Sequence, residues 1–154
     1  MTALKTRPAS AGTAYADDFY TWTQEQGTHL RAGDVSRLDR ENLAEEIESL
    51  GRSLFANLVN ALRVVLLHML KVDRQPSKRT RGWSIATHRV HSADELNACP
   101  GLKSRLDEAI GKAYRLARLE AAQETGLALK RFPETCPYTY QDIMDRPFAI
   151  DPES

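Results

Sequence analysis

The sequence predicts an all-α fold, a helical bundle of four main helices plus a short C-terminal helix. Apolar residues recur every three to four positions in several long segments, and glycine or proline follows these segments. No segment shows the apolar–polar alternation of a half-buried strand. We expect a disordered N-terminal tail, residues 1–13, and a single helical domain, residues 14–150.

The first predicted helix covers residues 15–33. Phe19, Trp22, Gln26 and Leu30 fall at helical spacing, and Gly33 is a stop signal.

The second predicted helix is central and long, from about residue 39 to residue 74. Ser36 and Asp39 are capping residues three apart, which predicts a capping box with aspartate in the usual glutamate position. After Asn60 the opposite face also becomes apolar, which is typical of a buried helix. The predicted core face is a stripe of Leu43, Ile47, Leu50, Leu54, Leu58, Ala61, Val65, His68 and Val72.

The length of this helix requires an explanation. At 1.5 Å per residue it would extend about 54 Å, whereas a compact domain of this size is only about 38 Å across. The helix therefore bends, with Gly51 as the candidate position, or it protrudes and invites a partner.

Two further long helices and one short helix complete the prediction. The third covers residues 84–98, and the fourth covers residues 102–126 with Gly126 as its stop. Thr139 and Asp142 predict a cap for the short last helix. The inward face of the fourth helix is predicted to contain Leu102, Leu106, Ala109, Ala113 and Ala117.

Composition limits the classes of function. The chain has 154 residues with no net charge, 42% apolar and 27% charged residues, so nothing global indicates a polyanion partner. Cys99 and Cys136 are far apart, which favours a reduced, cytoplasmic protein. The chain start lacks a signal-peptide pattern, and the longest apolar run is short for a bilayer. We expect no cofactor and no membrane association.

Charged residues at two helix ends are unusual. Glu45 and Glu46 belong to an acidic helix start, for which inter-helix ion pairs or a solvated face are the favoured interpretation and a metal the alternative. Glu124 lies in a last helical turn, where the helix dipole disfavours an acid. We expect a bond from His68, the Trp83 indole or a basic-loop arginine. His68 itself is predicted to be mostly buried and bonded to Glu120 or Glu124.

Three further groups of residues suggest alternative functions. Arg63 and His68 match the R-x4-H spacing of HEPN ribonucleases, which suggests metal-independent RNA cleavage, although residues five apart project 140° from each other. A metal could bind His88, His91 and Glu95, although a solvated face is favoured. A basic zone with an aromatic residue could bind RNA or DNA, or could complement the acidic helix start. Besides Arg63, this zone contains Lys71, Arg74, Lys78, Arg79, Arg81, Trp83 and Arg89.

Five motifs occur in a specific order: "LDRENLAEEIESLG", "LLHMLK", "RQPSKRTRGW", "ETGL" and "FPETCPY". Together they resemble a bacterial family of small helical proteins classed as a domain of unknown function, family twenty-nine. The resemblance extends from about Tyr15 to Met144, and one departure is Val72, where the family often has tryptophan. The resemblance implies the helical fold, but it does not supply a function. The motif polar residues are Glu45, Glu46, His68, Trp83 and Glu124.

The leading functional expectation is a non-enzymatic protein-interaction module. It depends on the over-long apolar second helix and on the separation of the acidic and basic zones. The expected partner is a second copy, forming a homo-oligomer such as a dimer, or another protein.

Overall fold

The predicted all-α fold is confirmed. A computed structural model describes residues 12–76 and 82–148, apart from the side chain of Trp83. Within these residues there are no strands, and three short 3-10 segments connect five α-helices. The helices are α1 (Phe19–Ala32), α2 (Arg40–Arg74), α3 (Gly82–Ala98), α4 (Leu106–Thr125) and α5 (Tyr140–Asp145). Residues 1–11 of the predicted disordered tail lie outside the described residues.

The chain divides into two compact units, Met1–Leu50 and Gly51–Ser154, so the boundary falls within α2. Helix α2 is nevertheless continuous through Gly51. The single domain expected over residues 14–150 stays a prediction, and each unit is described by itself below.

Polar contacts organise the N-terminal unit. Asp18 caps α1 by accepting from the Thr21 amide at 3.0 Å, and Gly33 ends the helix with φ +70°. Buried Trp22 donates from Nε1 to the Asp39 carboxylate at 3.1 Å. The side-chain oxygen of buried Gln26 accepts from the Asp39 amide at 2.8 Å. Both buried residues therefore converge on the start of α2.

An aromatic cluster covers one side of this contact. The Tyr15 ring lies edge-on to Phe19 and Trp22, with centroids 5.5 and 4.9 Å away. Its hydroxyl donates to Glu46 at 2.5 Å, and this bond raises the pKa of Tyr15. Of the four residues at helical spacing on α1, Trp22 and Gln26 are buried, whereas Phe19 and Leu30 are about half exposed.

The capping box predicted for α2 is wrong. Asp39 caps the helix itself, since its carboxylate accepts from the Asn42 amide at 3.4 Å and from the Asn42 side chain at 2.7 Å. Ser36 lies in the 3-10 segment Val35–Arg37 and donates to Asp34 at 2.7 Å instead. The 3-10 turn therefore prevents the Ser36–Asp39 capping box that the spacing predicted.

The hydrophobic core belongs to the C-terminal unit. The second half of α2 packs there against α4, which presents small side chains at helical spacing. Alanine on the facing helix allows two helix axes to approach closely. The predicted inward face of α4 is confirmed, because its three alanines are buried and Leu102 and Leu106 pack against the core. Fully buried core residues include Leu58, Leu62, Val65, Leu66, Met69, Ala113, Ala117 and Ile143.

Polar caps close the C-terminal part of this unit. Gly126 ends α4 with φ +71°, and Thr139 and Asp142 form a complete capping box for α5, both as predicted. The Tyr114 hydroxyl, deep in the core, donates to the Pro133 carbonyl at 2.6 Å. The segment between α4 and α5 is thereby attached to the bundle.

Asp73 connects the end of α2 to the chain beyond α4. Its carboxylate accepts from Arg146 at 2.6 and 3.1 Å and from the Tyr138 hydroxyl at 2.6 Å. The Arg146 guanidinium, with Tyr138, lowers the pKa of Asp73. Burial and the neighbouring carboxylate raise the pKa of Tyr138.

By length and composition, α2 is also the one helix of the described chain that could cross a membrane. In its most apolar window, 56% of the residues are buried inside the protein, as is usual for a core helix. The apolar character of this part of α2 is therefore explained by the core.

Two leucines of α2 provide a matched test of this description. Leu62→Ala should lower the free energy of unfolding by about 2–5 kcal/mol, because Leu62 is fully buried and a cavity would remain. Leu50→Ala should change it by no more than about 0.5 kcal/mol, because Leu50 is 67% exposed. Urea denaturation of dilute protein measures both. Equal losses would contradict the described packing of α2.

The Asp73 contact predicts a pH-dependent contribution. Because the folded-state pKa is lowered, the contribution is present above the unfolded value of about 3.9 and is lost as the pH falls through the folded-state pKa. Asp73→Asn should therefore lower the melting temperature at pH 7, and its difference from wild type should shrink below about pH 4. Asp94→Asn, an exposed acid on α3, is the control. A difference that stayed constant from neutral to acid pH would contradict a charge-based role.

Candidate interaction surface

The apolar face of α2 divides into a buried half and an exposed half. Leu58 and Val65 are fully buried, whereas Ile47 and Leu50 are each 67% exposed and Leu54 is 38% exposed. The predicted continuous core face is therefore wrong for its first half. We define the α2 stripe as Leu43, Ile47, Leu50 and Leu54; Leu43 is half-buried.

Among the described residues, the middle of the stripe has little tertiary cover. Every residue from 50 to 54 is exposed, although this part of α2 is regular helix. A Cβ atom added to Gly51 would meet nothing within 4 Å. Packing of an apolar face against other elements normally supplies most of a helix's stability. The helical conformation of residues 50–54 therefore depends on the packed parts of α2 on either side.

Acidic residues occupy the other side of the same helix. At 100° per residue, Glu41, Glu45 and Glu48 project roughly opposite to the α2 stripe. All three are exposed. The first half of α2 is thus amphipathic, with one acidic side and one apolar side that the described protein leaves largely uncovered.

Two ion pairs connect α2 with α4. Arg63 bonds to Glu120, and Lys71 Nζ lies 2.6 Å from the Glu124 carboxylate. The expectation that Glu124 has a cationic partner is confirmed by Lys71, which was not among the partners predicted for it. The basic loop and the Trp83 side chain lie outside the described residues. Most of the His68 surface is covered, as predicted, and the residue takes part in an interaction.

These pairs change the interpretation of the basic zone. Arg89 donates to the Ile143 carbonyl at 2.6 Å and lies over the Phe148 ring at 5.2 Å. With Arg63 and Lys71 also paired, three cations of the zone have structural roles. Arg74 is exposed. Lys78, Arg79, Arg81 and the Trp83 side chain lie outside the described residues.

A polar groove of about 560 Å³ brings Arg63 near His88, His91 and Glu95. His88 Nδ1 lies 2.8 Å from the Ser84 carbonyl oxygen, so this nitrogen carries a proton and donates. The His88 and His91 rings meet edge to face at 5.6 Å. Among the described residues, no three His, Cys, Asp or Glu side chains could hold a metal ion together. The groove therefore brings the three residues together without creating a metal site.

The remaining motif residues lie in different units. Glu45 and Glu46 belong to the N-terminal unit, where Glu46 accepts from Tyr15. His68 and Glu124 belong to the C-terminal unit. The sequence pattern assigned Ile47 and Leu50 to the core, whereas both are exposed. The signal that separates them from the buried half is the opposite face of α2, which becomes apolar only after Asn60.

Comparison with known proteins supports the family resemblance. A family model described as "Domain of unknown function DUF29" matches residues 14–149, nearly the whole chain. No curated protein and no solved structure matches the chain.

The α2–α4 ion pairs predict small energetic effects. Glu124→Gln should lower the free energy of unfolding by less than about 1 kcal/mol, because Lys71 and Glu124 are 33% and 47% exposed. Glu120→Gln should cost more, because the Arg63 pair is less exposed. Urea denaturation at low and high salt measures both. A loss above about 2 kcal/mol for Glu124→Gln would contradict the surface position of this pair, because a loss of that size is typical of a buried ion pair.

Proposed function

We propose that this chain, which belongs to the DUF29 family, is a non-enzymatic protein-interaction module that binds another helix through the α2 stripe. The observation that supports this most directly is the 67% exposure of both Ile47 and Leu50 within one continuous helix. The family description supplies no function, so the proposal depends on this surface.

The arrangement of the apolar residues favours a helix as the partner. A single exposed leucine is ordinary on a protein surface. Four apolar residues spaced four, three and four apart match the spacing by which one helix packs against another, and we call this face the seam. Burying an isoleucine or leucine completely is worth about 1.5–3 kcal/mol. A partner helix would gain part of this energy at each position.

The N-terminal unit supplies a second argument. Of its described residues, only Trp22 and Gln26 are buried. Small units bury too little surface to be stable alone and commonly need an additional contact. A helix packed on the α2 stripe would extend this small core.

The charges of α2 favour a protein partner over a lipid surface. Helices that lie on membranes usually carry lysine and arginine on the polar face, which attracts anionic lipids. Here that face carries Glu41, Glu45 and Glu48. An anionic bilayer would repel them.

As part of this proposal, we infer a cytoplasmic location from the two cysteines. Cys99 and Cys136 are both free and half-buried, which suits a reducing compartment. Nucleic-acid binding receives less support, because Arg63, Lys71 and Arg89 make contacts within the fold.

The double variant Ile47→Lys/Leu50→Lys tests the proposal. Association should be lost, because two charges would enter the seam, while helix content should be unchanged because both positions are exposed. Light scattering over a concentration series measures self-association, and enrichment from an extract of the native host measures other partners. Circular dichroism checks the fold.

Val90→Lys is the matched control, since Val90 is 58% exposed on α3 and lies outside the α2 stripe. It should associate like wild type. If the double variant keeps every association of the wild type, the α2 stripe is not the interaction surface.

A further inference from the structure

We propose that residues 50–54 form a hinge in α2, a turn that opens and bends while the packed parts of the chain on either side of it stay folded. This inference does not depend on the interaction role proposed for the α2 stripe. Ile47 precedes the hinge and Leu54 ends it, so a bend here changes the spacing of the stripe.

The hinge is a turn of helix without a covered side. A helix that packs on one face covers at least one residue in each turn of about 3.6 residues. Elsewhere in the described helices, no more than three consecutive residues are exposed. Residues 50–54 are five exposed residues in succession. This turn of α2 is therefore largely uncovered on every side, rather than on one face only.

The residues of this turn add little helical stability of their own. Glycine is the least favourable residue in a helix interior after proline, and serine is less favourable than alanine. Gly51 and Ser53 both lie in the hinge. A Cβ atom added to Gly51 would meet nothing within 4 Å, so no close neighbour in the described chain requires a glycine here.

Gly111 shows that an exposed glycine alone does not make a hinge. A Cβ atom added there would also meet nothing within 4 Å. However, Ile110 and Ala113 beside it are buried, so the core holds α4 at that turn. Among the described residues of α2, by contrast, the first buried one is Phe55, which follows the hinge. The difference between the two glycines is the packing of their neighbours.

The division of the chain agrees with this position. The boundary between the compact units Met1–Leu50 and Gly51–Ser154 falls at the start of the uncovered turn. Arg52 takes part in an interaction, so what the turn lacks is burial rather than every polar partner. Segments with few buried apolar contacts open at a lower free energy than the core does. Local opening of α2 is therefore expected first at residues 50–54.

Amide hydrogen exchange of the full chain, followed by NMR, tests the opening. Amides of residues 51–56 should exchange at least about tenfold faster than those of residues 43–48 and those of residues 58–70, because the opened turn lies between packed segments. Exchange that becomes steadily slower from residue 43 to residue 58 would indicate fraying from one end of α2. That result would overturn the hinge.

Two glycine substitutions separate local opening from global stability. Gly51→Ala should slow exchange of the hinge amides about four- to fivefold, which is the helix-propensity difference converted at about 1.4 kcal/mol per factor of ten. Gly111→Ala makes the same change at an exposed position of the packed α4 and should leave that exchange within about twofold of wild type. Equal slowing by both variants would overturn the local opening.

Pulsed electron resonance between two spin labels tests the bend. In a Cys99→Ser/Cys136→Ala background, one chain carries labels at Ala44→Cys and Asn60→Cys, which span the hinge. A control chain carries them at Asn60→Cys and Arg74→Cys, beyond the hinge; all three labelled positions are exposed. On a straight helix these pairs are about 24 Å and about 21 Å apart along the axis.

The distance distribution across the hinge should be at least about twice as wide as that of the control pair, because only the first pair senses the bend. A narrow distribution for the control pair also shows that the background remains folded. Equal widths for the two pairs would overturn the hinge, however fast its amides exchange.

Discussion

The length of α2 relative to the core that covers it is the constraint on which the rest of the structure depends. The helix has 35 residues, but its burial begins only at Phe55. Beyond that point the alanine face of α4, together with α3 and α5, provides cover on several sides. Before it, the described contacts to α2 come from polar and aromatic side chains of the α1 region. Because α2 is apolar along both halves and the core covers only the second half, apolar residues of the first half are exposed.

The sequence was sufficient to predict most of the helices because their ends are local. Gly33, Gly126 and the Thr139–Asp142 box act through backbone conformation and bonds within a few residues. The Ser36–Asp39 box failed for an equally local reason, since a 3-10 turn changes the geometry that the spacing assumes. Periodicity shows which face of a helix is apolar, but whether that face is covered depends on the other helices. Ile47 and Val65 lie on the same predicted stripe, although only Val65 is buried.

Partner choice among charged residues was harder to predict than the need for a partner. An acid in the last turn of α4 opposes the helix dipole, so Glu124 required a cation. Lys71 and His68 lie three residues apart on α2, and their positions in the sequence do not show which of them contacts Glu124. The observed pair uses the long, flexible lysine side chain, which reaches the carboxylate at the surface without being fully desolvated. Arg63 meets Glu120 one turn earlier on α4, so the two pairs repeat along α2 and α4.

If the exposed apolar stripe binds a partner, as we propose, it must do so without binding every apolar surface. The stripe is narrow, and its opposite side carries Glu41, Glu45 and Glu48, which repel acidic helices and anionic lipids. In the interaction role proposed here, the helical spacing of the stripe would select partners that present a complementary apolar helix face, and the acidic side would exclude anionic ones.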